Sequence, residues 1–180
     1  MTFKSEVEMS KVFESFVMST IIDNSIFVLK ELKGLFGIPD FVLIENLENH
    51  INYIVSIELK LRNWKKALNQ AFRYRAFSNE SYVILDEDHI DLGLKNIEYF
   101  KKFNIGLGSL NSNSELKIFY KPLISKPFST RFNSILKNYF LKDIDNSKIK
   151  WNNFFDDETF LDNISLYSKF IKLNHFNFKA

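Results

Sequence analysis

The sequence predicts an α/β fold, a mixed central β-sheet flanked by helices. Segments of helical period alternate with short runs of β-branched and aromatic residues, in the order helix, three strands, helix, strand, helix, two strands. Three sequential strands followed by one reached through a helical crossover require antiparallel and parallel neighbours in one sheet. A chain of 180 residues that is 46% hydrophobic and 16% aromatic also has the material for one buried core, unlike a disordered chain.

Residues Glu6 to Thr20 read as an amphipathic helix, because at about 100° per residue Met9, Val12, Phe13, Phe16, Val17 and Thr20 share one face. Ser5 suits its N-cap, and Glu6 and Glu8 suit the positive helix start. Ser25 to Lys30 (SIFVLK) reads as a strand followed by a turn with Gly34 and Gly37. Phe41 to Ile44 (FVLI) and Tyr53 to Leu59 (YIVSIEL) are two more strands, joined by the polar ENLENH segment as a hairpin connection. Asn63 to Phe77 returns to helical period with Asn63 as its cap, and Ser81 to Leu85 (SYVIL) is a short apolar strand. One helix from Ile90 to Phe103 then leads to IGLGSL and, across an NSNS turn, ELKIFY. Beyond Ser129 two helices are expected, Arg131 to Phe140 and Glu158 to Lys172, separated by a polar stretch containing Trp151. The expected organisation is a core over 1–125 and a helical C-terminal extension over 126–180 packed on it.

Composition excludes several chemistries. There are no cysteines, which removes disulfides, thiolate zinc sites, iron–sulfur clusters and cysteine nucleophiles together. His50, His89 and His175 show no short-range ligand spacing, so a zinc site has little support. The N-terminal MTFKSEVEMSKVFESF alternates charged and apolar residues, unlike a secretory signal, and no run approaches the roughly 18 apolar residues of a membrane span. The expectation is a cytoplasmic protein with no membrane partner. Lys60, Arg62, Lys65, Lys66, Arg73 and Arg75 occur with no acid among them; against a formal net charge of +2, the rest of the chain carries −4. The positive charge is local.

Asp40 stands at the mouth of one expected strand, and Glu58 and Lys60 near the end of its neighbour. Period-two alternation puts Glu58 and Lys60 on one face while Ile57 and Leu59 point the other way. Ionised groups at the end of an apolar strand need partners if buried, and a divalent cation would satisfy both carboxylates. Carboxylate oxygens are hard ligands suited to Mg²⁺, which can activate water and neutralise a phosphate, while a nearby lysine can stabilise the charge of the transition state. The same pattern also fits an ordinary hairpin in which Asp40 caps a turn after Pro39 and Glu58 and Lys60 face solvent.

The run G-I-P-D, apolar strand, hairpin, S-I-E-L-K, basic helix N-W-K-K-A-L-N-Q-A-F-R-Y, and apolar strand S-Y-V-I-L resembles the PD-(D/E)xK nuclease superfamily, with its restriction-endonuclease-like fold. The resemblance covers roughly Ser5 to Leu123. It implies that Asp40 and Glu58 bind the metal, Mg²⁺ with Mn²⁺ able to substitute, and that Lys60 is catalytic. Gln70 and Tyr74 match the Q-x-x-x-Y arrangement many members carry on the following helix, and Glu6 is the best match to an acidic residue on the first helix. On helical geometry Gln70 flanks the apolar face defined by Trp64, Ala67, Leu68, Ala71 and Tyr74, and Glu6 lies at the edge of its own apolar face.

Arg62, Lys65, Lys66, Arg73 and Arg75 are candidate phosphate contacts, with a solvated helix face as the plain alternative. Gly106-Leu-Gly108 lacks the third glycine and following helix of a dinucleotide fingerprint and reads as a turn or strand edge. The resemblance thus implies a metal-dependent nuclease hydrolysing DNA phosphodiesters. The alternative is a catalytically inactive nucleic-acid-binding or protein-interaction module of the same fold. Because members of this fold often dimerise to cut two strands, a homodimer is a further candidate assembly.

Overall fold

The computed structural model describes residues 2–20, 26–32, 37–47 and 50–145. The chain runs through α1 (Glu6–Thr20), β1 (Ile26–Lys30), β2 (Phe41–Leu47), β3 (His50–Lys60), α2 (Trp64–Tyr74) and β4 (Glu80–Asp86). A 3-10 turn, Glu87–His89, precedes α3 (Ile90–Leu94) and α4 (Ile97–Phe103), followed by β5 (Gly106–Leu110), β6 (Leu116–Tyr120) and α5 (Thr130–Asp145). The described strands form one six-stranded mixed sheet in sequence order. β1, β2 and β3 are antiparallel neighbours, β3, β4 and β5 run parallel, and β6 returns antiparallel to β5. Parallel neighbours need a crossover, which α2 supplies between β3 and β4, and α3 with α4 between β4 and β5.

Alternation along the strands divides the core. Phe41, Leu43, Val55, Ile57, Leu59, Tyr82 and Ile84 pack with Met9, Phe13 and Val17 of α1 on one face. On the other face Val42, Ile44 and Ile54 meet Tyr74, Phe77 and, from α5, Leu136 and Phe140. Val83, Leu85 and Leu107 meet Ala67, Leu68 and Ala71 of α2 and Phe100 of α4. β3 and β4 are therefore covered on both sides, while the N-terminal part of β3 continues the hairpin outwards.

Three expectations are corrected. ENLENH is mostly strand, since pairing continues from Glu45↔Tyr53 to Leu47↔His50 past an irregularity at Glu45/Asn46, leaving only 48–49 between the strands. The helix expected over Ile90 to Phe103 is two. Gly93 lies against the sheet so closely that an added Cβ would sit 3.0 Å from Leu85 Cδ1. The chain then leaves the helix at Asn96 (φ −120), whose Nδ2 donates to the Leu92 carbonyl at 2.9 Å and competes with the helical ladder. Gly106-Leu-Gly108 is neither turn nor edge, because β5 has β4 on one side and β6 on the other. Ser25, Gly34, Trp151, His175 and the expected helix Glu158 to Lys172 lie outside the described residues. No helix among the described residues is long and apolar enough to cross a membrane.

Glycine in β5 makes room for the core. A Cβ at Gly106 would fall 2.1 Å from Cδ1 of the fully buried Tyr82 ring. Gly106→Ala is expected to cost about 1–3 kcal/mol of stability by overpacking. Urea denaturation checks this: the midpoint should fall with an unchanged slope, and an unchanged midpoint would refute the packing account.

Candidate functional site

The two carboxylates are brought together by strand register. β2 begins at Phe41, which pairs with Ile57, so the preceding residue, Asp40, stands across from Glu58. Asp40 Oδ2 accepts the Leu59 backbone N–H at 2.6 Å. Glu58 is 1% exposed and Lys60 8%, which removes the solvent-facing hairpin alternative. The approach to Asp40 depends on Gly37, which has φ +130 and where a Cβ would lie 2.7 Å from Cε1 of Tyr74. Only glycine lets this loop and that ring coexist.

Tyr74, at the end of α2, holds Glu58 from the other side. Its Oη lies 2.8 Å from Glu58 Oε2 and 2.9 Å from the Ile38 carbonyl. A hydroxyl has one proton and cannot donate to both. If Glu58 is protonated, its O–H donates to Tyr74 and Tyr74 donates to Ile38, so every group is satisfied. If Glu58 is ionised, one acceptor loses its donor. Gln70, one turn earlier, lies beside the Tyr74 hydroxyl. Its Oε1 is buried and finds no donor among the described residues.

Lys60 ends β3 with its ammonium surrounded by oxygens. Nζ lies 2.9 Å from Glu6 Oε2, 3.1 Å from the Leu59 carbonyl and 3.2 Å from Glu58 Oε1. Three donors thus face three acceptors. Glu6 arrives because the chain before α1 is tied to the end of β4: the Phe3 N–H donates to buried Asp86 Oδ2 at 3.3 Å, and the Thr2 hydroxyl to Asp88. Ser5 Oγ then caps α1 by accepting from the Glu8 N–H at 3.1 Å. Glu6 joins the cluster through Lys60, and its own side chain remains half exposed.

Burial sets the protonation states. Desolvation first, and then the facing Asp40, pushes the Glu58 carboxyl up to about 7. Asp40 is also raised, chiefly by burial, although the Leu59 N–H and Lys60 oppose the shift. Burial works against the charge on Lys60, but the Glu6 hydrogen bond and the charges of Glu58, Glu6 and Asp40 outweigh it and raise its pKa. Burial and Glu58 raise Tyr74 as well, so its hydroxyl keeps its proton. The result is a charged lysine beside two carboxyls that resist full ionisation.

The basic residues separate into two groups. Arg62, Lys65, Lys66 and Arg73 are exposed on or beside α2. Arg75 is only 8% exposed and turned inwards: it donates to the Phe103 carbonyl at 2.9 Å and to Ser125 Oγ at 2.8 Å, and its guanidinium lies 4.3 Å from the Phe128 ring centroid. With these donors and one guanidinium face engaged internally, Arg75 stands apart from the expected phosphate contacts and ties α2 to the segment after β6. Sequence reasoning did not reach the Leu59 N–H on Asp40 or the steric demand at Gly37; the only trace of either is the turn-forming G-I-P-D.

Among the described residues no group of three or more His, Asp or Glu side chains is arranged to hold a metal. Asp40 and Glu58 form a pair, and Mg²⁺ is the cation that binds through one or two carboxylates while keeping several waters. The donor set fits it: hard oxygens from two repelling carboxylates, with the donorless Gln70 Oε1 nearby as an acceptor for a water. The chain matches no family model, no curated protein and no solved structure.

The raised Glu58 pKa has a consequence for stability. The unfolded chain loses this proton near the ordinary value of 4.5, whereas the folded chain keeps it to about 7. The folded state binds the extra proton in that window, so this group's contribution to stability falls as pH rises from about 4.5 to about 7. Glu58→Gln, which cannot ionise, should match the wild type near pH 4.5 and exceed its stability by about 2–3 kcal/mol near pH 8. Thermal unfolding in EDTA across this range tests it, and a gap that does not widen with pH would show that Glu58 ionises normally.

Proposed function

We propose that this chain is a divalent-cation-dependent nuclease that hydrolyses DNA phosphodiesters, with the fold and site of the PD-(D/E)xK, restriction-endonuclease-like type. The observation that carries this reading is the carboxylate pair of buried Glu58 and half-buried Asp40, with the Lys60 ammonium 3.2 Å from Glu58. A like-charged pair out of water is unfavourable on its own and is relieved when a cation enters.

Asp40 and Glu58 would hold Mg²⁺, or Mn²⁺ in its place. When bound, such a cation would neutralise phosphate charge and acidify water. The chain's own residues supply the remainder. Lys60 stays charged and, by exchanging its contact with Glu6 for a phosphate oxygen, meets the negative charge that grows as water oxygen bonds to phosphorus and the bond to the leaving sugar oxygen breaks. Gln70 Oε1 accepts from a water and orients it, and Tyr74 keeps Glu58 turned towards Asp40. Arg62, Lys65, Lys66 and Arg73 hold flanking phosphates without reading sequence. On this reading the partner is DNA, the setting is the cytoplasm, and the candidate assembly is a homodimer.

Purified protein should cleave DNA with Mg²⁺ or Mn²⁺ and not in EDTA. Lys60→Ala and Asp40→Asn should each lower the rate at least about a hundredfold. Wild-type thermal stability should rise with added cation, by about 2.7 kcal/mol at a hundredfold excess over Kd, and Asp40→Asn should abolish the rise. Cleavage that survives both substitutions would remove these residues from the reaction. Absence of cleavage together with salt-sensitive DNA binding would favour the inactive binding module instead.

A further inference from the structure

Trp64 and Tyr99 form an aromatic pair on the surface shared by α2 and α4, with ring centroids 5.9 Å apart. Trp64 is half-buried and backed by the fully buried Phe100, its centroid 6.0 Å away. Tyr99 contributes little to the core and is 52% exposed. Positive charge lies beside the pair: Lys65 is exposed with its Nζ 5.6 Å from the Trp64 ring centroid, and Arg62 and Lys66, also exposed, flank Trp64 in the sequence. None of the three makes an ion pair among the described residues, while the acid beside Tyr99, Glu98, is neutralised by Lys101 at 2.8 Å.

Position links this surface to the carboxylate pair. Trp64 follows Lys60 by four residues, a reach of at most about 14 Å, and the Trp64 N–H donates back to the Arg62 carbonyl at 2.9 Å, which keeps the turn short. An exposed ring backed by a second ring and flanked by cations suits one kind of nucleic acid. In a duplex the base faces are occupied by one another, whereas an unpaired base presents a free face that stacks on an aromatic ring while cations take the neighbouring phosphates. We propose that Trp64 and Tyr99 are a stacking platform for an unpaired base, with Arg62, Lys65 and Lys66 on the flanking phosphates, and that the substrate strand is single-stranded DNA. The chemistry of that substrate rests on the nuclease reading; the binding does not.

The test is fluorescence anisotropy of the full chain in EDTA, with a fluorescein-labelled oligothymidylate of about twelve nucleotides and a duplex of the same length. The wild type should bind the single strand more tightly than the duplex. Tyr99→Ala should weaken single-strand binding about tenfold, and Tyr99→Phe, which keeps the ring, should stay within about twofold of wild type. Arg62→Gln combined with Lys66→Gln should weaken binding and flatten its salt dependence. Wild-type affinity in Tyr99→Ala, equal losses in the alanine and phenylalanine variants, or no preference for the single strand would each overturn the platform. Because binding is read without cation, loss of the platform leaves the cleavage assay standing, and absence of cleavage leaves the platform standing.

Discussion

β3 lies inside the sheet and carries three polar side chains, Ser56, Glu58 and Lys60, on the face that α2 covers, and much of the surrounding structure answers to their need for partners. Ser56 finds the hydroxyls of Ser81 at 2.6 Å and Ser78 at 3.0 Å, all three fully buried. Glu58 finds Tyr74 and Lys60, and Lys60 finds Glu6 and a backbone carbonyl. Each partner constrains another element. Tyr74 fixes the rotation of α2 and demands glycine at position 37; Glu6 requires α1 to start beside the end of β3; Ser78 shapes the turn from α2 into β4.

The pairing is incomplete, and the shortfall is concentrated in one place. Two carboxyls and one ammonium share a volume from which water is largely excluded, so burial raises both acids while their charges keep the lysine protonated. Such an arrangement costs stability that well-packed apolar residues would have supplied. A fold retains it where the unsatisfied charge has a use, and strain of this kind gathers at functional sites. The raised Glu58, its hydrogen bond with Tyr74 and the donorless Gln70 Oε1 all lie around this cluster.

The basic run shows how packing redistributes residues that look equivalent in one dimension. Arg73 and Arg75 are two positions apart, yet Arg73 faces solvent and Arg75 points at the Phe103 carbonyl, Ser125 and Phe128. The arginine that holds the segment after β6 is therefore a structural cation, and the exposed charge concentrates towards the start of α2. There Lys65 lies beside Trp64, whose ring meets Tyr99 of α4.

The element order was legible in the sequence because local periodicity reports it directly: α1, the strands FVLI and YIVSIEL, α2 with its Asn63 cap, and SYVIL all lie where the 3.6- and 2-residue patterns place them. The juxtaposition of Glu58 with Lys60 was legible for the same reason, since two residues two apart on a strand share a face. Whatever depends on neighbours distant in the chain was not. The close seating of Gly93 against Leu85 and Leu107 depends on such neighbours, and the extension of the hairpin through Asn46 and Leu47 on pairing with a second strand. Likewise Gln70 is an unremarkable helical amide until Tyr74 and Glu58 are placed beside it, and Arg75 is one more basic residue until β6 brings Ser125 within reach. Sequence determined the elements and the residue types on each face, because those are set by covalent spacing. Tertiary structure alone decided which charges lost their water, because desolvation depends on everything that packs around a group.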